Sequence, residues 1–230
     1  WDSAYFIISL IQFSLVGILL LSLPLWRKAK RPAETASSVK PAIGIRETVS
    51  LPRAKPTLIA FFCYCGVEQT VILWGSSYLV MVRSLKEETA AGWIALFFVG
   101  ITLGRALSGF LSMKLSQRSL IHLGMALIGA GVLILLLPMN AYAALAGLFF
   151  IGLGCAPIYP CLLHETPSTF GRANSQAIMG IQMASAYVGT TLMPPLFGLL
   201  ARGTGYGLFP FYLGVLLLVM AFMVKSIYSG

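Results

Sequence analysis

The chain has 230 residues, of which 58% are apolar and only 10% charged, whereas a soluble domain carries about a quarter charged residues. That composition excludes a water-soluble fold and assigns the chain to the all-α class, as a polytopic transmembrane helical bundle. The net charge of +9 would suit nucleic acid in a soluble protein, but half of the 16 basic residues (Arg27, Lys28, Lys30, Arg31, Lys40, Arg46, Arg53 and Lys55) sit between two apolar segments with no interleaved aromatic residue, which excludes that partner.

A helix crosses a hydrocarbon core of about 30 Å with about 20 residues. Seven stretches meet that length: 5–26, 57–81, 90–113, 120–138, 142–163, 175–200 and 206–228. The first lacks an initiator Met and a basic leading region, and its basic residues follow it, so it reads as a membrane span rather than a secretory signal. Residues 27–56 are rich in Pro, Ala, Ser and charge and read as a poorly ordered, basic cytoplasmic linker. The six spans of 57–230 are joined by short connections, which predicts antiparallel neighbours in one bundle. With the linker inside, Lys114, Arg118, Arg172 and Lys225 join its eight cations on the cytoplasmic face, against Arg83, Lys86 and Arg202 outside. The first residue is thus expected outside and the last in the cytoplasm. Trp26, Trp93, Tyr142, Tyr206 and Tyr228 lie near span ends, as interfacial anchors do.

The span 57–81 holds Glu68, eleven residues from its start, or about 16 Å deep at about 1.5 Å per residue. A carboxylate there costs on the order of 2.5–3.5 kcal/mol to insert, so it faces a cavity or a partner. It reads either as a proton or substrate site or as a group that only joins helices. Helical spacing sets Tyr64, Glu68, Val71, Gly75 and Tyr78 along one face, with Gln69 and Trp74 alongside. A carboxyl, an amide and aromatic rings suit a sugar or polyol pocket, and equally an aromatic cage for a cationic or apolar compound.

In 90–113, Gly100, Gly104 and Ser108 fall at close-packing spacing, as do Gly147, Gly152 and Gly154 in 142–163. Such faces either pack helices or slide during a transport cycle. Arg105 reads as half of an internal ion pair or as a snorkelling cation. Pro157 and Pro160 predict that the helix 142–163 breaks or kinks, with Gly152 and Gly154 sharing a gating role. Tyr159 and His164 follow, the latter read as a loop histidine at the membrane edge. In 175–200, Gln182 and Tyr187 are candidates to face the cavity of Glu68 or to hydrogen-bond between helices. Cys63, Cys65, Cys155 and Cys161 lie in apolar segments without zinc-site spacing and read as small core residues. No metal or cofactor is expected.

One span, a basic linker and six further spans resemble the second half of a major facilitator superfamily transporter. The run GRALSG from Gly104 to Gly109, with Arg105, Lys114 and Arg118, resembles the superfamily's loop signature, except that Met113 stands for its acid and Ser116 for its second glycine. The stretches GLGCAPIYP from Gly152 to Pro160, IQMASAYVG from Ile181 to Gly189 and MPPLFG from Met193 to Gly198 resemble the fucose-permease-like bacterial branch. The resemblance implies a twelve-helix, two-lobed fold working by alternating access, with residues 1–26 as the final helix of a missing N-terminal lobe, 27–56 as the linker and 57–230 as the C-terminal lobe. It also implies that the helices bearing Glu68, Gly152 and Gln182 line the cavity.

The functional expectation is a secondary transporter in the plasma or bacterial inner membrane, a proton-coupled symporter of a sugar or similar small polar solute. Efflux of amphipathic compounds is the neighbouring reading. A seven-helix receptor shares the topology, but Lys225 lies only at the end of the last span and receptor-type D-R-Y and N-P-x-x-Y motifs are lacking. An enzyme is not expected, since no intramembrane His, Asp or Ser constellation accompanies Glu68.

Overall fold

The computed structural model describes residues 2–29, 44–138 and 140–229, of which those at 2–4 and 26–29 are described as helix without their side chains. The linker cations Lys30, Arg31 and Lys40 therefore lie outside the described residues, as do the side chains of Trp26, Arg27 and Lys28. The chain divides into two units, Trp1–Pro41 and Ala42–Gly230.

The described part of the first unit is an apolar helix, α1 (Asp2–Ala29), which carries Pro24. The second contains α2 (Ile45–Ser50), α3 (Ala54–Arg83), α4 (Glu87–Leu111), α5 (Gln117–Leu136), α6 (Ala141–His164), α7 (Thr166–Phe170), α8 (Arg172–Thr204), a 3-10 turn at Tyr206–Leu208 and α9 (Phe209–Tyr228). Among the described residues there is no strand, and seven helices are long and apolar enough to cross a membrane. The stretch read as a poorly ordered linker ends differently: from Ile45 it is helical, and Thr48 is buried, its hydroxyl donating to the Gly44 carbonyl (2.9 Å).

Local signals set the helix ends. Ser116 caps α5 by accepting from the Ser119 N–H (3.1 Å), and the Asn140 side chain caps α6 by accepting from the Ala143 N–H (3.1 Å). After α3 the chain reverses at Ser84, left-handed at φ 55°, with the Leu85 N–H donating to the Leu79 carbonyl (3.2 Å). Gly171 (φ 77°) and Gly205 (φ 85°) bound α8.

The six long helices of this unit form two groups. In one, α4 and α5 both pack on α6, and glycines let backbones meet. A Cβ added at Gly100 would lie 2.5 Å from the Phe149 carbonyl oxygen, and one at Gly124 would lie 2.6 Å from that of Gly154. Pro157 has no N–H for the Leu153 carbonyl, and that oxygen sits 2.7 Å from where a Cβ at Gly104 would be. The glycine of α4 thus makes room for a carbonyl that the proline of α6 releases.

In the other group, α8 and α9 both pack on α3, and side chains make the ties. The Trp74 indole donates to the Pro194 carbonyl (2.9 Å), Ser185 to that of Leu58 (2.8 Å) and Tyr212 to that of Met193 (2.9 Å). Trp74, Phe197, Phe209 and Tyr212 form a run of ring contacts at 5.4–5.6 Å. The groups meet where α3 touches α4 and α6 and α5 touches α9. Short connections do not dictate neighbours: α5 and α6 pack closely, but α4 scarcely touches α5 and α8 touches α9 little.

Candidate functional site

Glu68 lies midway along α3 and is partly exposed, as is Gln69. One helical turn earlier on the same helix lies buried Tyr64. From α6, Tyr159 brings its ring to 6.1 Å from that of Tyr64 and 5.5 Å from that of Phe61. Its hydroxyl donates to the Met183 sulfur of α8 (2.9 Å). Tyr187, one turn beyond Met183 and 71% exposed, lies within electrostatic reach of Tyr159, as does Glu68. Cys65 and Cys155, buried free thiols, flank Glu68 on α3 and α6. One acid, two phenols and a third exposed phenol thus converge from three helices, a set able to hold a proton or to bind hydroxyls of a solute.

Tyr159 was singled out in the sequence only as following the helix break, and the signal that could have enrolled it is its place between Pro157 and Pro160. Other residues grouped with Glu68 by spacing go elsewhere. Tyr78 is buried, stacked on Phe209 (5.0 Å), and donates to the Leu135 carbonyl (2.9 Å). Trp74 faces α8, with Gly198 packed beneath its ring. Gln182, read from its own span as facing the cavity or bonding between helices, does the latter: it is fully buried and shares the Thr166 hydroxyl proton (3.1 Å) with the Leu162 carbonyl (3.2 Å) at the junction of α6, α7 and α8.

Of the two outcomes expected for the span 142–163, a break or a kink, the break does not occur: α6 is helical through both Pro157 and Pro160. Gly152 and Gly154 are buried in its contacts, Gly152 against the Phe97 backbone of α4 and Gly154 against the Gly124 carbonyl of α5. Of the loop residues, Gly109 and Lys114 are exposed, while Arg118 lies 3.9 Å from the Glu165 carboxylate and 4.4 Å from the centre of the Tyr228 ring. Glu165, at the end of α6, meets the basic residue where the loop itself carries Met113. Arg105 has no ion pair among the described residues and borders a cleft with His164.

Residues 79–228 match the family model described as Major Facilitator Superfamily. The chain is similar to an uncharacterized MFS-type transporter of Yersinia pestis, 25% identical over 185 residues that cover 76% of this chain and 46% of that one. It is likewise similar to the uncharacterized MFS-type transporter YceJ of Bacillus subtilis, 25% identical over 204 residues, 89% of this chain and 51% of the relative. It thus spans about half the length of these relatives. The crystal structure of the Escherichia coli fucose:proton symporter superposes with a TM-score of 0.63 at 16% identity, over 77% of this chain and 44% of that one, a likeness of fold.

Proposed function

The chain belongs to the major facilitator superfamily, and from that premise we propose that it is part of a secondary active transporter that couples uptake of a sugar or similar small polar solute to protons. The family and the related fold are those of transporters rather than of enzymes, and seven apolar helices make the chain a multi-pass membrane protein. In this reading α1 is the last helix of an N-terminal lobe, residues 42–230 contain the second lobe, and the solute binds between the lobes. The positive loops lie in the cytoplasm of a cell membrane, with the first residue outside.

The observation that carries the proposal is the partly exposed Glu68 at mid-helix, one turn from Tyr64 and close to Tyr159. A carboxyl at this depth bears a charge at a cost that a proton removes, so its protonation can be linked to which side of the lobe is open. Tyr64, Tyr159, Gln69 and Tyr187 offer rings and polar atoms to the solute, whereas Trp74, Tyr78 and Gln182 support the walls. Gly152 and Gly154 lock α6 onto α4 and α5, so that any gating at Pro157 and Pro160 moves these helices together. In proteoliposomes, an imposed proton gradient should drive solute accumulation. Glu68→Gln should abolish that accumulation and retain solute exchange. Undiminished coupling in Glu68→Gln sinks the role of Glu68, and outward movement of amphipathic compounds in a substrate screen replaces uptake by efflux.

A further inference from the structure

Sharing Tyr159 with the Glu68 cluster but opening on the other side of α6, a cleft of about 540 Å³ lies between α4, α5 and α6. Arg105 and Ser108 reach it from α4, Ser112 from the turn after α4, Gln117 from the first turn of α5, and Tyr159 and His164 from α6. Among the described residues no acidic one lines it. The Ser108 hydroxyl donates to the Arg105 carbonyl (3.0 Å), Ser112 to the Gly109 carbonyl (2.7 Å) and Tyr159 to Met183, so these three hydroxyls are spent as donors. The exposed side chains of Arg105 and His164 and the half-buried one of Gln117 make no hydrogen bond or ion pair among the described residues. Glu165, next to His164, is engaged by Arg118 (3.9 Å) and accepts from Ser168 (3.3 Å).

A cation within a membrane-spanning helix is costly unless something compensates it, and here a guanidinium, an imidazole and an amide from three helices surround a space without a carboxylate. We propose that this cleft binds a phosphate group, with Arg105 donating two parallel hydrogen bonds and Gln117 and His164 donating to the remaining oxygens. Donors converging from three helices suit a tetrahedral oxyanion better than a planar carboxylate. The phosphate belongs either to an anionic phospholipid, as basic pockets between membrane helices accept, or to a soluble phosphate ester.

The test is binding to the protein purified in neutral maltoside, read by native mass spectrometry with phosphatidylglycerol against phosphatidylcholine, and by thermal shift with glycerol 3-phosphate. Retention of phosphatidylglycerol over phosphatidylcholine, weakened about fivefold in Arg105→Gln, supports the site with lipid as its source. A rise in Tm with glycerol 3-phosphate that Arg105→Gln loses, without a lipid preference, supports it with a soluble source. His164→Gln, on an exposed side chain, keeps the test usable if Arg105→Gln does not fold, and should weaken binding in the same arm. Binding of neither phosphate probe, or binding unchanged in both variants, overturns the proposal. Because the readout contains no transport step, its outcome is independent of the role of Glu68.

Discussion

The two helix groups of the second unit solve the same packing problem by different means. Around α6, the contact is backbone on backbone: Gly100, Gly104, Gly124 and Gly131 admit carbonyls of the neighbouring helix where any side chain would intrude. Around α3 there is one such contact, Gly189 of α8 against the Phe62 carbonyl, and the rest is side chain to backbone, through Trp74, Ser185 and Tyr212, reinforced by rings. In lipid there is no hydrophobic drive for helices to associate, so close approach and interhelical hydrogen bonds must supply the attraction. The glycine contacts leave α6 little freedom to shift without collision. The side-chain ties around α3 can break and reform, and this is the group that carries Glu68.

The comparison can be broken first at its most rigid point. Gly152→Val would drive a side chain into the Phe97 backbone and should cost about 3 kcal/mol, seen as loss of a monodisperse peak and a large drop in Tm in detergent. In the α3 group, Trp74→Phe keeps a ring but removes the indole donor to Pro194 and should cost about 1–2 kcal/mol, read as a moderate fall in Tm. Tyr78→Phe removes the hydroxyl bond to Leu135, whose carbonyl keeps Arg83 as a donor (2.7 Å), so about 1 kcal/mol is expected from the same measurement. Smallest, and opposite in sign, is Gly180→Ala on α8, where nothing lies within 4 Å of an added Cβ; it should stabilise by about 0.5–1 kcal/mol. Equal losses in Gly152→Val and Gly180→Ala would remove the distinction between the groups.

How far the site could be read in the sequence follows the same division. Glu68 and Tyr64 were legible because both lie on one helix a turn apart, and a carboxyl in an apolar span is conspicuous. The spacing that joined Tyr78 to them was correct as a face of α3, but that face runs three further turns and passes from the partly exposed cluster into the contact with Phe209 and Leu135. For Gln182 the sequence left two readings, cavity or interhelical hydrogen bond, and the buried bond to Thr166 of the short helix α7 fits the second. The family resemblance implied that α3, α6 and α8 line one cavity, but that Tyr159 and Met183 are the residues meeting there beside Tyr64 is a tertiary fact.

The amino-acid sequence by itself determined the solvent, the seven spans, their approximate ends and the major facilitator character. Those follow from local quantities: the apolar length needed to cross a bilayer, the charge between spans, and short motifs. Only the tertiary structure decided that α6 stays helical through two prolines, that short loops do not make α4 and α5 neighbours, and that Arg105 faces a cleft without an acid. A chain satisfies its backbone within each helix first, so one helix's sequence says that it spans, while the glycines, carbonyls and rings of its neighbours decide against what.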